Sequence, residues 1–422
     1  MGIPVIGHSS RLRVHAIRLI GVCGILGVCG IFFSGPGIVS QSGRLFQSAE
    51  QKTMCLLTLP QAKIPSIEAT LADSSLRSIS PSNQEELSGD SSTVDHATVD
   101  HPQPLSDYTF TQIHMAMPVR ISVWAQHKKL AHQAGRTAFL RISELVQKLS
   151  HFVPESELNS LVGNEEIPIS NYTRRVSPDL MNVLSYSYEV YDCTDGVWDP
   201  TAGPIINLWK QAKKTNSLPS QGEIESALNR VGFDQMKIDE KNGTVLVLRT
   251  GIQLDLGAVA KGYIVDQALQ VLKKHGIHSA CIEAGGDFVV SQAPPGTTGW
   301  KIDVPHLGSM RLANCGVSIS GDTVQYAEID SIRYSHVVNA RTGMPLTNRM
   351  MAVVTAPLAI QSDALATAAC ILKKPALKDT VRDITGVRIW RWQIGTKPIE
   401  ISTTTDISKP NGISTPNEVS TK

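Results

Sequence analysis

The stretch DLGAVAKGYIVD, residues 255–266, sets Lys261 between Gly257 and Gly262, where a strand pattern gives way to a helix pattern. A helix N-terminus already carries positive potential, so a lysine at the same point suits an anion, phosphate first of all. The two glycines would let backbone approach such a ligand closely. A tight turn carrying a solvated lysine satisfies the same residues. This stretch alone does not separate the two readings.

Asp363 and Thr367, in SDALAT at 362–367, stand four apart, which puts their oxygens on one helix face. A carboxylate and a hydroxyl suit a hard cation such as Mg²⁺, which keeps its other positions for phosphate and water. The same residues also fit a helix start, with Ser362 as N-cap, Asp363 in the first turn and Thr367 bonding back along its helix. His336, in YSHVVNARTGMP at 334–345, is expected on a strand that turns Tyr334, His336 and Val338 to one face. A histidine there can take a proton from a hydroxyl near neutral pH, or can simply be hydrogen-bonded. Asp199, in GVWDPTAGPIINLW at 196–209, either holds an acceptor group against a ligand or starts a turn. EAGGDF at 283–288 offers two glycines and the Asp287 carboxylate, for a close ligand approach or for a hairpin turn alone.

The elements that must position these residues are legible as periodicities. Ala131, Ala134, Ala138, Ile142, Leu145 and Leu149 step by three and four along a helix. Ser177-Pro178 opens a second helix as N-cap and first-turn proline, with Leu180, Val183, Leu184 and Val190 as its apolar face. Ser220 and Glu223 have capping-box spacing. A further helix is expected from Ala258 to Lys274, stopped by Gly276. TVLVLRTGIQLDLG reads as a hairpin around Thr250-Gly251, and strands are expected near 279–283, 286–290, 300–304, 316–319, 325–330, 333–339 and 350–356. Consecutive strands joined by short turns favour antiparallel pairing, which excludes a doubly wound nucleotide fold.

The chain has 422 residues and a formal net charge of +1, with no basic stripe that would speak for a nucleic acid. Its seven cysteines show no CxxC spacing, which argues against a zinc site and for isolated thiols, with a disulfide or two still open. Arg11, Arg13 and Arg18 precede the apolar run LIGVCGILGVCGIFF, residues 19–33. That run is shorter than the roughly 20 residues of a full membrane span, so 1–33 reads as a signal peptide or membrane anchor. Valine before Cys23 and Cys29 speaks against lipid attachment. Residues 34–106 read as a low-complexity linker, containing TVDH twice, at 93–96 and 98–101. The body occupies 107–396, and 397–422 reads as a disordered tail.

In order, SHFVPESEL (150–158), GVWDPT, DLGAVAKGYIVD, EAGGD, SGD, SHVVNARTGMP and SDALAT resemble the ApbE family, the FAD:protein FMN transferases, over about residues 108–373. The resemblance implies an α+β fold of largely antiparallel sheets with flanking helices. It implies an exported protein, and the apolar N-terminal segment adds the expectation of attachment to the membrane on the periplasmic side. Such a protein binds FAD and uses Mg²⁺ to move FMN to a threonine hydroxyl of an exported acceptor protein, releasing AMP. Hydrolysis of FAD to FMN and AMP is the alternative activity, and a flavin-binding protein without turnover is a third reading. Carried over residue by residue, the metal positions fall on Asp363, Thr367 and the backbone carbonyl of Ala258. The flavin-binding motif positions fall on Met115, Ser150, Asp199 and Lys261, and the proposed base on His336. Met115-Ala116-Met117 stands where the family has Met-Gly-Thr, and Thr323 where it has an aromatic residue. Asn339-Ala340 replaces Asp-Pro, and Val162 replaces an asparagine.

Overall fold

A computed structural model describes residues 104–162, 171–323 and 325–402. The expected signal or anchor segment, nearly all of the linker with its TVDH pairs, and the tail beyond Ser402 lie outside the described residues. No helix among the described residues is long and apolar enough to cross a membrane.

The frame is an eight-stranded antiparallel sheet whose spatial order follows the chain: β1 (Ser106–His114), β2 (Met117–Ala125), β3 (Ser279–Ala284), β4 (Asp287–Val290), β5 (Cys315–Gly321), β6 (Met350–Ala356), β7 (Arg388–Gln393) and β8 (Ile399–Ser402). Side chains alternate between its faces. From β6, Ala352, Val354 and Ala356 enter the large helix-covered core, whereas Met351 and Val353 enter a second core on the opposite face. That second core is closed by Ile302, Val304, Met310 and Leu312 of the hairpin Trp300–Val304/Gly308–Leu312. Burial on both faces explains why β6 reads as a continuous apolar run.

The described residues form five longer helices: α1 (Lys128–Leu149), α2 (Pro178–Cys193), α3 (Gly203–Thr215), α4 (Ala260–Lys274) and α5 (Ala359–Ile371). Helices α1, α4 and α5 pack on the sheet, whereas α3 belongs to a third core with Ile224, Ile329 and Tyr334. The predicted apolar stripe of α1 is buried throughout, from Ala131 to Leu149. Ser177 caps α2 with Pro178 in its first turn, and Ser220 and Glu223 form the expected capping box on the short helix Gln221–Leu228. Helix α4 ends at Lys274, with His275 as its C-cap and Gly276 following at φ +78°, a conformation that costs glycine little. Among the described residues, Cys281, Cys315 and Cys370 are free thiols.

Four expectations are corrected. The hairpin around Thr250-Gly251 does not form. Thr244–Val247 instead pairs with Met236–Asp239 and with Tyr172–Arg175. Ile252, Leu254 and Leu256 alternate because they are buried in the large core, not because they pair with that strand. His336 is not on a strand: Ile332–Ser335 ends before it, where the Ser335 hydroxyl takes the Val337 N–H at 3.1 Å. Ser362 is not an N-cap, because α5 begins at Ala359. The cap comes from Asp266 on α4, whose carboxylate accepts the Ala359 and Ile360 N–H groups, each at 3.0 Å. Locally, only Gln361 contributes, accepting the Leu358 N–H at 3.2 Å, and with leucine at the N-cap that leaves a weak sequence signal. Finally, the chain expected to be disordered from Lys397 contributes β8, with Ile401 buried against the core and Ile399 exposed.

Candidate active site

The lysine turn, the Gly285-Gly286 turn and α5 meet at one end of the sheet. Helices α4 and α5 touch through Gly262, which sits against the Ala359 carbonyl. This contact lets the backbone N–H of Gly262 donate to Asp363 Oδ2 at 3.0 Å. Lys261, one residue earlier, places its Nζ 2.9 Å from Asp363 Oδ1, 2.8 Å from Asp287 Oδ2 and 3.0 Å from the Gly257 carbonyl. Asp287 reaches this point because the turn Gly285-Gly286, both residues at positive φ, folds β4 back along β3. Asp287 and Asp363 are 3% and 4% exposed, so both carboxylates need a partner.

The electrostatics of this cluster are lopsided. Burial would lower the pKa of Lys261, but the charges of Asp287 and Asp363 outweigh it and hold the ammonium well above the ordinary lysine range. Burial raises the Asp363 carboxyl and the neighbouring Asp287 raises it further, against the pull of Lys261 and the Gly262 N–H. Two buried carboxylates thus share one ammonium, so the second negative charge is poorly compensated and Asp363 keeps a proton to higher pH than an ordinary carboxylate.

Asp363 lies two helical positions further into α5 than a first-turn residue, and Thr367 follows one turn on. The Thr367 hydroxyl is half-buried and makes no hydrogen bond among the described residues. Ala258 occupies the turn immediately before α4. Among the described residues no three His, Cys, Asp or Glu side chains gather round a metal position. A cation here would draw on few protein ligands, all of them oxygen, and complete its shell with phosphate and water. The donor set and the poorly compensated carboxylate charge both fit a hard divalent ion.

His336 lies on the loop after Ile332–Ser335. Its Nδ1 is 3.0 Å from the Gln325 carbonyl, an acceptor only, which fixes the proton on Nδ1 and leaves Nε2 with its lone pair. The residue is exposed by surface area, yet surrounding atoms displace enough hydration to lower its pKa, and the charge of Lys261 lowers it further. Trp209 of α3 steadies the loop: its Nε1 donates to the Gly343 carbonyl at 2.8 Å and its ring stacks on Tyr334 with centroids 5.1 Å apart.

The other predicted positions serve the same end of the molecule differently. Both carboxylate oxygens of Asp199 are taken up within the chain, by the Thr201 N–H and hydroxyl at 2.7 and 2.6 Å and by the Phe233 N–H at 3.2 Å. Asp199 therefore staples its loop, and Pro200 then accepts the Asp255 N–H at the head of the lysine turn. Ser150 ends α1, and its hydroxyl accepts the Phe152 N–H at 3.2 Å. Met115 and Ala116 form the β1–β2 turn, at φ +52° and +58°. Val119 of β2 pairs with Ala284, so this turn lies at the same sheet end as Gly285-Gly286.

Sequence reasoning did not single out Asp287 as the partner of Lys261, because Gly-Gly-Asp reads equally as a hairpin turn. It also missed His151 and Lys210, which flank Asp255 at 3.6 Å each, while Asp255 accepts the Gly257 N–H.

Comparison with known proteins places the chain. Residues 115–389 match the model of the ApbE family. Among curated relatives, the FAD:protein FMN transferase of Haemophilus influenzae is 26% identical over 55% of this chain and 70% of its own. That of Chlamydia muridarum is 27% identical over 61% and 82%. Among solved structures, the ApbE protein of Thermotoga maritima superposes with a TM-score of 0.62 at 25% identity, over 71% of this chain and 98% of its own. The flavin transferase ApbE of Vibrio cholerae gives 0.60 at 20% identity, over 71% and 98%. The chain is a member of the ApbE family.

Proposed function

We propose that this chain is an FAD:protein FMN transferase, which moves FMN from FAD to a threonine hydroxyl of an exported acceptor protein and releases AMP. The observation that carries this reading is the cluster of Lys261, Asp287 and Asp363 at the start of α4. It joins a fixed ammonium, a helix N-terminus and a poorly compensated carboxylate charge, which together suit a pyrophosphate accompanied by a divalent cation.

Asp363, Thr367 and the Ala258 carbonyl would hold Mg²⁺, which when bound supplies charge neutralisation at the pyrophosphate. Lys261 adds a positive charge on the same anion and keeps it because its ammonium does not titrate near neutrality. His336 accepts the threonine proton at Nε2 while its Nδ1–H stays anchored to Gln325. The threonine oxygen forms a bond to the FMN phosphorus, and the bond from that phosphorus to the bridging oxygen breaks, with AMP carrying the electron pair away. Met115, Ser150 and Asp199 shape the flavin end of the site, Asp199 by holding its loop rather than by direct contact. Export and attachment through residues 1–33 complete the reading and place the acceptor on the periplasmic side.

The test is incubation with FAD, Mg²⁺ and a threonine-bearing acceptor fused to a carrier, followed by flavin fluorescence of the carrier after denaturing electrophoresis. A fluorescent band that disappears on chelation and in Asp363→Ala supports transfer. AMP and FMN in solution with a dark carrier would instead mean hydrolysis of FAD. Intact FAD with a dark carrier would overturn the enzymatic reading.

A further inference from the structure

The Lys261 ammonium occupies a cage of three oxygens, from Asp287, Asp363 and the Gly257 carbonyl, all within 3.0 Å. Such a cage is what a small cation would otherwise use. A divalent ion on Asp363 competes with an ammonium on the same carboxylate, because the two positive charges would stand only a few ångströms apart. Release of Asp363 by Lys261 relieves that repulsion. The buried carboxylate of Asp287 is already in contact with Nζ, and it sits on β4, a strand in the middle of the sheet, whereas Asp363 sits on α5. The two carboxylates can thus part company without moving the lysine far.

We propose that Lys261 is the counter-ion of Asp363 in the metal-free protein. Asp287 is then the positioning residue that retains Lys261 when Asp363 turns to a divalent cation. The inference rests on Asp363 as a metal ligand. Asp287 need not touch metal or substrate. It keeps the ammonium within reach of a phosphate and lowers the competition that Lys261 offers to the incoming ion.

The competition gives the proposal its own signature. Without Asp287, Lys261 has only Asp363 to pair with, so cation binding weakens. Without Lys261, Asp287 has nothing to retain, so its loss matters little. A purely electrostatic contribution of Asp287 would instead persist whether or not Lys261 is present.

The experiment titrates the full chain with Mn²⁺ in the absence of FAD, reading free ion by electron paramagnetic resonance. It compares the unsubstituted chain with Asp287→Asn, Lys261→Gln and the double variant. The expected result is Mn²⁺ binding roughly tenfold weaker in Asp287→Asn, tighter in Lys261→Gln, and within about threefold of Lys261→Gln in the double variant. An equal loss on Asp287→Asn in both backgrounds, or none in either, overturns the handover. Should Asp287→Asn fail to fold, Lys261→Gln alone decides, since unchanged or weaker Mn²⁺ binding contradicts Lys261 as a competitor. Asp363→Asn distinguishes failure of the underlying reading: undiminished Mn²⁺ binding there removes the metal assignment and this proposal with it.

Discussion

A Cβ built on Gly262 would lie 2.2 Å from the carbonyl oxygen of Ala359, so α4 and α5 approach as closely as their backbones permit. That approach brings the Gly262 N–H and the Lys261 ammonium onto the same Asp363 carboxylate. Gly262→Ala must separate the helices, because the obstructing atoms are backbone and cannot swing aside. The expected cost is about 1–3 kcal/mol, from overpacking. Divalent-cation binding should weaken as well. Gly222→Ala is the control, since a Cβ there meets nothing within 4 Å on a short helix, and it should stabilise by up to about 1 kcal/mol. Urea unfolding of the two variants measures both signs.

The β1–β2 turn makes a second prediction. Met115 and Ala116 both adopt left-handed backbone, at φ +52° and +58°, where turns of this hand favour glycine or asparagine. Ala116→Gly should relieve about 1 kcal/mol of steric cost. It also restores the glycine of the motif that Met115-Ala116-Met117 resembles. A raised urea midpoint is the expected outcome, and a lowered one would mean that the alanine methyl packs usefully.

Much of this arrangement was legible in the residue pattern, and what was not has physical causes. The stripe of α1, the caps of α2 and of Gln221–Leu228, and the stop at Gly276 depend on neighbours in sequence, so the sequence displays them. Helix α5 is buried on nearly every side, so it has no polar face to mark its start, and its cap arrives from Asp266 on another helix. His336 is legible by type but not by element, since the alternation of Tyr334, His336 and Val338 runs on past Ser335, where the strand ends. Gly-Gly-Asp suits a plain hairpin turn at least as well as a ligand contact, and only the fold brings Lys261 against Asp287. Local chemistry is visible in order along the chain; contacts made across it are not.

Asp266 also predicts a pH dependence. Burial pushes its carboxyl up to about 7 from 3.8, against the two backbone N–H groups it accepts. Between those values the folded chain holds a proton that the unfolded chain has released, so this group's contribution to stability falls as pH rises from 4 to 7. Asp266→Asn cannot titrate. The stability of the unsubstituted chain relative to this variant should therefore decline across that window, by as much as a few kcal/mol. Paired urea titrations at pH 4.5 and 8 test this, and a difference independent of pH contradicts it.

His336 should shape the acid side of the activity profile. Desolvation by the surrounding atoms and the charge of Lys261 both lower its pKa from the ordinary 6.5, outweighing the hydrogen bond to Gln325, so the neutral, proton-accepting ring persists into more acidic solution. The acid limb of kcat/KM should fall at a pH below that of an unperturbed histidine. Lys261→Gln removes one of the two causes and should move the surviving activity's acid limb upward. Replacing His336 itself by glutamine keeps a hydrogen-bonding group beside Gln325 but removes the base, with an expected loss of about 10²–10⁴-fold in kcat. A profile whose acid limb stays in place when Lys261 is replaced would separate His336 from the cluster electrostatically. A glutamine variant of undiminished rate would remove it from the proton transfer altogether.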